Sequence, residues 1–311
     1  MFSHFLVILL GLTFFTQSLF AEVEHTLLRR VAVFPIADAN FSNSEDAWWQ
    51  MRELLTKDQK LLVASRRFMM NRGVFQPRKT LKPADAIILG RLIDAQALVT
   101  TYLDERVLKM KVYEGENGYL LWEGEAHFHP AISINDQIVS VSTRLMGDFL
   151  ASIPYQGYQV VDSLIGKPLY EKEGKTMAQV FLGAGAQVSE GDQVQWVKVT
   201  GDISQAFFNS ATRVQVIAEG QVRSVQNNIA EVEITKMRDP QELGENSLVR
   251  FPKEVNRLKD LFSREDRSTS LGGEYLSEEL KSSSDFGRSQ NSTATALGFI
   301  ANLAAFILIA F

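Results

Sequence analysis

Cysteine is absent from the chain of 311 residues. That absence excludes disulfides, thiolate metal sites, cysteine nucleophiles and lipid attachment to an N-terminal cysteine. It also suits an oxidising compartment. Histidine is scarce, with only His4, His25, His127 and His129. So few imidazoles leave little for a catalytic triad, and no Gly-x-Ser-x-Gly elbow occurs. Gly183-Ala184-Gly185 lacks the lysine and hydroxyl that a phosphate loop needs. Positive charge is not in excess: the net charge of −5 provides no basic footprint for nucleic acid. The remaining balance, 45% hydrophobic and 22% charged, is that of a globular chain able to bury a sizeable core. Its length suits about two domains.

Both ends are apolar. Phe5 to Phe15 is an uncharged run, and Ser18-Leu19-Phe20-Ala21 ends in small-residue chemistry suited to cleavage after Ala21. We read residues 1–21 as a signal peptide. The rival is an uncleaved anchor, with Arg29 and Arg30 holding its far side in the cytoplasm. Residues 295–311 carry no charge, and the stretch from Thr293 would reach ~28 Å as a helix, close to a bilayer core. It is expected to be a transmembrane anchor through Leu297, Phe299, Ile300, Leu303, Phe306, Ile307, Leu308 and Ile309. The rival is a buried terminal helix, which ordinarily shows a polar face. Residues 253–294 are expected to be a helix followed by a flexible linker, since Ser263 to Ser292 is rich in Ser, Glu, Asp and Arg.

Residues 22–158 have the order of a mixed-sheet α/β domain. Arg30 to Ile36 and Ala97 to Leu103 read as buried strands, and Lys60 to Ala64 as a short one. Ser42-Asn43-Ser44-Glu45 matches a capping box ahead of a helical stripe of Ala47, Met51 and Leu54, with Trp48 and Leu55 beside it. Pro83 opens a further helix that is expected to turn Ala86, Leu89, Ile93, Ile88 and Leu92 towards a core. Leu108, Met110 and Val112 then alternate with Lys109, Lys111 and Tyr113, the pattern of a half-solvated strand. A turn and Tyr119 to Trp122 complete a hairpin, and Ile134 to Ile153 is an amphipathic helix. Residues 159–252 read as a small all-β, barrel-like domain of short strands, with Asn227-Asn228 at a hairpin tip. The fold class is therefore α+β.

Three blocks carry a resemblance. They are Val31-Ala32-Val33-Phe34-Pro35, Leu89-Gly90-Arg91-Leu92-Ile93-Asp94-Ala95 through Val99, and Lys111-Val112-Tyr113 through Gly118 to Trp122. Together they resemble the α/β domain of the TolB N-terminal region, CsgG and flagellar outer-membrane ring proteins such as FlgT. Gly185 through Gly191-Asp192, Gly220 to Val222, Ala230 to Val232 and Leu243-Gly244 resemble the C-terminal β-domain of FlgT-type proteins. The resemblance implies a structural or assembly module of the bacterial envelope rather than a catalyst.

Candidate chemistry is sparse. His127 and His129 share a strand face as a metal pair might, but nothing completes the shell. Asp94, Asp104 and Glu105 flank the central strand, where capping and turn duty compete with acid–base work. Arg66, Arg67, Arg72, Arg78 and Lys79 form a loose basic stretch around Phe75 that could meet a polyanion or simply be a solvated loop. Trp48 and Trp49 are adjacent, so on a helix they diverge by about 100°. One can be buried while the other serves as an interaction anchor.

The expectation is a non-enzymatic, exported, periplasmic scaffold, membrane-anchored by its C-terminal helix, with the inner membrane favoured over the outer. It would act through a protein partner in an envelope or flagellar-ring complex, without cofactor, metal or nucleic acid, and with room for a homo-oligomer. The alternative is a regulatory or ligand-binding module that stimulates an envelope enzyme.

Overall fold

The computed structural model describes residues 22–57, 61–161, 166–183, 185–209 and 212–268. The expected signal peptide at 1–21, most of the linker and the anchor residues Leu297 to Ile309 lie outside them. The first half contains β1 (Glu22–Glu24), β2 (Arg30–Val33), α1 (Ser44–Lys57), β3 (Leu62–Val63), α2 (Arg66–Asn71) and α3 (Pro83–Ile93). Next come β4 (Ala97–Asp104), β5 (Val107–Glu114), β6 (Leu120–His127) and α4 (Ile134–Ser152). The second half contains β7 (Gly157–Val160), β8 (Leu169–Lys172), β9 (Lys175–Leu182), β10 (Gln193–Asp202) and β11 (Thr212–Gln226). It ends with β12 (Ile229–Met237), β13 (Leu248–Arg250) and α5 (Pro252–Ser268).

The first sheet has the order β3-β2-β4-β5-β6. β2 runs parallel to β3 and β4, while β4-β5 and β5-β6 are antiparallel. Parallel strands need crossovers, and the helical stretches 44–57 and 83–93 supply them. Ala47, Trp48, Met51 and Leu55 of α1 and Ile138, Leu145 and Phe149 of α4 pack on one face, over Val31, Val33, Val99, Met110 and Val112. Ala86, Leu89 and Ile93 of α3, with Met69 of α2, cover part of the other face over Ala32, Phe34 and Leu98. α3 comes very close to the β5–β6 turn. A Cβ on Gly90 would run into the carbonyl oxygen of Gly115, and one on Gly115 into that of Ala95, so both positions need glycine.

Three local expectations need correction. Tyr113 is buried beside α3, because the helix covers that end of a face left solvated further along β5. Ile88 and Leu92 are 63% and 40% exposed: α3 lies on one flank only and buries a narrower stripe than its apolar residues span. The Ser42 hydroxyl does not close a capping box. It donates to Asn135 Oδ1, while Asn43 donates two further bonds, from N and Nδ2, to Asn135, tying the starts of α1 and α4 together.

The second sheet closes on itself. β10-β11-β12-β9-β7-β13 returns to β10, giving a six-stranded barrel, with β1 and β8 added outside the ring. Closure removes edges that would otherwise bind other chains. Val180, Val194, Trp196, Val222, Val232 and Phe251 fill it. Trp196 donates to Gln159 Oε1 at 2.9 Å, satisfying the buried indole N–H. Asn227 and Asn228 both take positive φ, as a two-residue hairpin turn requires. At one end of the barrel, the buried Glu254 of α5 accepts from Gln187 N and pairs with Arg257.

Sheet and barrel share a core. Val197, Val199, Phe207, Phe208 and Leu248 belong to the same hydrophobic cluster as the α1 and α4 residues. The Phe207 and Phe208 amides donate to Leu120 and Leu121 carbonyls on the edge of β6. β1 pairs with β10, so the first described residues are built into the barrel's sheet. Among the described residues no helix is long and apolar enough to cross a membrane, which says nothing of strands.

Candidate partner-binding surface

α1 separates its two indoles as helical geometry demands. Trp48 is 2% exposed and donates to Val33 O at 2.9 Å, whereas Trp49 is 45% exposed. Their rings meet edge to face at 4.8 Å. Arg52 follows at i+4 and i+3, spacings that stack side chains on a helix face. Its guanidinium lies over both rings, 4.7 Å from Trp48 and 4.9 Å from Trp49. Burial pulls its pKa below the usual arginine value. Its Nη2 donates to Ala64 O at 3.3 Å, and its buried Nε has no partner.

α2 supplies the opposing wall. Ser65 caps it, accepting from Phe68 N at 3.2 Å, and so fixes the direction in which Arg66, Arg67 and Met70 project. Arg66 pairs with Glu45 and stands over Phe75, 5.2 Å from the ring centre. Phe75 in turn meets Trp48 at 5.1 Å. Arg67 is exposed, and Met70 is 56% exposed. Between the walls lies an open groove of about 440 Å³ lined by Trp49, Arg52, Ser65, Arg66, Arg67, Met70 and Asn71. Two signals remote in sequence thus meet in part: Trp49 and the first two cations of the basic stretch, Arg66 and Arg67, share the groove, while Arg72 lies over Phe68, Arg78 over Phe34, and Lys79 pairs with Asp38. Arg52 and Met70 were missed. Arg52's helical spacing from the indoles was a signal; Met70's exposure depends on the packing of α2.

The other candidates separate. Asp94 caps α3 in a left-handed conformation and pairs with Arg30 at 2.8 Å. Asp104 sits at the far end of β4, a strand ~25 Å long. Lys109 bonds it at 2.6 Å and holds its carboxyl below the usual range. Glu105 occupies a positive-φ turn position. Asp94 is thus separated by the length of β4 from Asp104 and Glu105. His127 and His129 are exposed, and among the described residues no group of three His, Asp or Glu side chains is placed to hold a metal.

A second depression, about 720 Å³, lies where barrel and sheet meet, with Glu24, Arg29, Gln96, Glu116, Lys198 and Asn246 in its walls. Beside it is a closed polar junction. Tyr155 Oη accepts from Leu28 N at 3.0 Å and lies 3.3 Å from His25 Nε2. The tyrosine hydroxyl can therefore donate to a neutral imidazole. Phe207 and Phe208 enclose His25, and burial pushes its pKa down to about 3. The same burial raises that of Tyr155.

No family model and no curated protein matches the sequence. Among solved structures, the chain is similar to the LpoB C-terminal domain from Escherichia coli, with 16% identity, 34% of this chain and 85% of that one covered, and a TM-score of 0.27. It is similar to TolB from Acinetobacter baumannii at 10% identity over 68% and 60% of the two chains, TM-score 0.28. Lipoprotein GNA1162 from Neisseria meningitidis is similar at 13% identity over 39% and 98%, TM-score 0.26. TolB was expected; CsgG and FlgT find no counterpart. Likeness at this level carries no functional argument.

Proposed function

We propose that this chain is a non-catalytic protein of a bacterial envelope that works by binding another protein through the groove between α1 and α2. The observation that supports this reading is a half-exposed indole stacked on a pre-positioned arginine, with a methionine and further arginines across an open groove. Trp, Arg and Met are the residues enriched where protein interfaces concentrate their energy. The envelope assignment rests on the apolar first residues, the uncharged tail from Leu297 to Phe311 and the TolB-like residue pattern. In this reading the tail anchors the protein and the linker sets the distance of the groove from the bilayer.

A photo-crosslinking residue at position 49, introduced into the full chain in membranes, tests this. A discrete adduct whose yield falls when Met70→Glu is added supports the reading. Adducts indifferent to that substitution, or none above those formed from solvent-facing position 109, overturn it. Scaffold and regulator are then separated by assembly state. A symmetric oligomer favours a ring or scaffold; a monomer binding one enzyme stoichiometrically favours regulation.

A further inference from the structure

We infer that the groove between α1 and α2 takes an acidic peptide segment of its partner, with carboxylates meeting Arg66 and Arg67 and an adjoining apolar side chain resting on Trp49 and Met70. This rests on the protein-binding reading above and adds the chemistry of the occupant.

The groove gathers positive charge that the acids around it leave largely uncancelled. Elsewhere on the described surface many cations are matched to acids, while exposed Lys82, Arg91, Lys167 and Arg238 stand singly without an acid partner among the described residues. Lys109 meets Asp104, Lys111 meets Glu123, Lys172 meets Glu231, Lys198 meets Glu24 and Lys253 meets Asp192. Arg223 and Lys175 share Glu233. Around the groove, by contrast, arginines gather in one concavity. Arg52 sits on indoles and a carbonyl, and Arg72 on the Phe68 ring at 5.7 Å, neither with a carboxylate partner among the described residues. Arg67 projects from α2 with no carboxylate partner among them either. Only Arg66 has one, Glu45. The acids of α1 do not reverse this. Glu53 is held by Lys57, and Asp46 lies in the helix's first turn, where the helix dipole favours an acid. In a chain of net charge −5, a local excess of arginine in a concavity marks where an anion belongs.

The shape selects among anions. Arginine presents a planar fork that matches a carboxylate in two parallel bonds. The cations line a groove flanked by Trp49 and Met70 rather than standing out from a convex face. That suits an extended or helical segment with mixed acidic and apolar side chains better than a flat lipid surface.

The test uses the chain carrying residues 22–311 in detergent. The probe is a synthetic peptide alternating glutamate and leucine, with its glutamine counterpart and vesicles of phosphatidylglycerol and phosphatidylethanolamine as further arms. Binding of the glutamate peptide, weakened more than about tenfold by Arg67→Glu, partly restored by Arg67→Lys and weakened by salt from about 50 to about 500 mM, is the expected result. Equal binding of the glutamine peptide overturns the inference, as does tighter, Arg67-dependent binding to vesicles than to peptide. Failure here is distinguishable from failure of the parent reading. If crosslinking from position 49 persists in Arg66→Gln, Arg67→Gln, the groove binds a partner that is not acidic.

Discussion

The groove and the junction are built from similar residues arranged to opposite ends. At the junction, a histidine, a tyrosine and two phenylalanines pack upon one another, and His25 Nε2, Tyr155 Oη and Leu28 N are engaged in internal bonds. In the groove, a half-exposed tryptophan, an exposed methionine and three arginines line an open concavity. Aromatic content alone therefore does not mark a binding surface. What marks it is aromatic area combined with charge that the fold does not cancel.

The contrast predicts that junction variants lose stability and keep the partner, while groove variants do the reverse. The largest effect is expected for Phe207→Ala, which opens a cavity where barrel and sheet share their core. Thermal unfolding should show a loss of about 3–5 kcal/mol, with crosslinking from position 49 retained on material that stays folded. Tyr155→Phe leaves the buried Leu28 N–H without its acceptor. It should cost about 1–3 kcal/mol in denaturant titration.

The next prediction concerns acid. His25 has a folded pKa of about 3, below its unfolded value, so the folded state disfavours the proton. The stability this contributes is present above about pH 6.5 and is lost as pH falls towards 3. From about pH 8 to about pH 5 the loss should be about 2 kcal/mol. Glu114, whose pKa burial raises, acts in the opposite direction at lower pH. The clean readout is thus the difference between the wild-type and His25→Gln curves, and a difference that stays constant with pH contradicts the assignment.

The smallest stability effect belongs to the groove. Trp49→Ala and Arg67→Gln should shift unfolding by no more than about 0.5 kcal/mol, as exposed substitutions do, yet reduce partner capture severalfold.

Much of the architecture was legible because it is local. The strand, helix and hairpin succession through 30–153 follows from period changes, and the Asn227-Asn228 turn from residues that accept positive φ. What was not legible depends on partners distant in sequence. β1 joins β10 across more than half the chain, and β7 pairs with both β9 and β13 to close the barrel. Alternation in β5 shows that two faces exist but not how far α3 covers the second, which is why Tyr113 was misplaced. The site was half visible. Trp48–Trp49 and Arg66–Lys79 each stood out, but their meeting at Phe75 is a tertiary fact.

The central claim is that the groove is kept open for an acidic segment of a partner and contributes little to folding. The most direct measurement is partner capture from position 49 alongside a melting curve for the double variant Arg66→Gln, Arg67→Gln. We predict that the adduct disappears while the melting temperature stays within about 2 °C of wild type. Undiminished capture at an unchanged melting temperature would contradict the account.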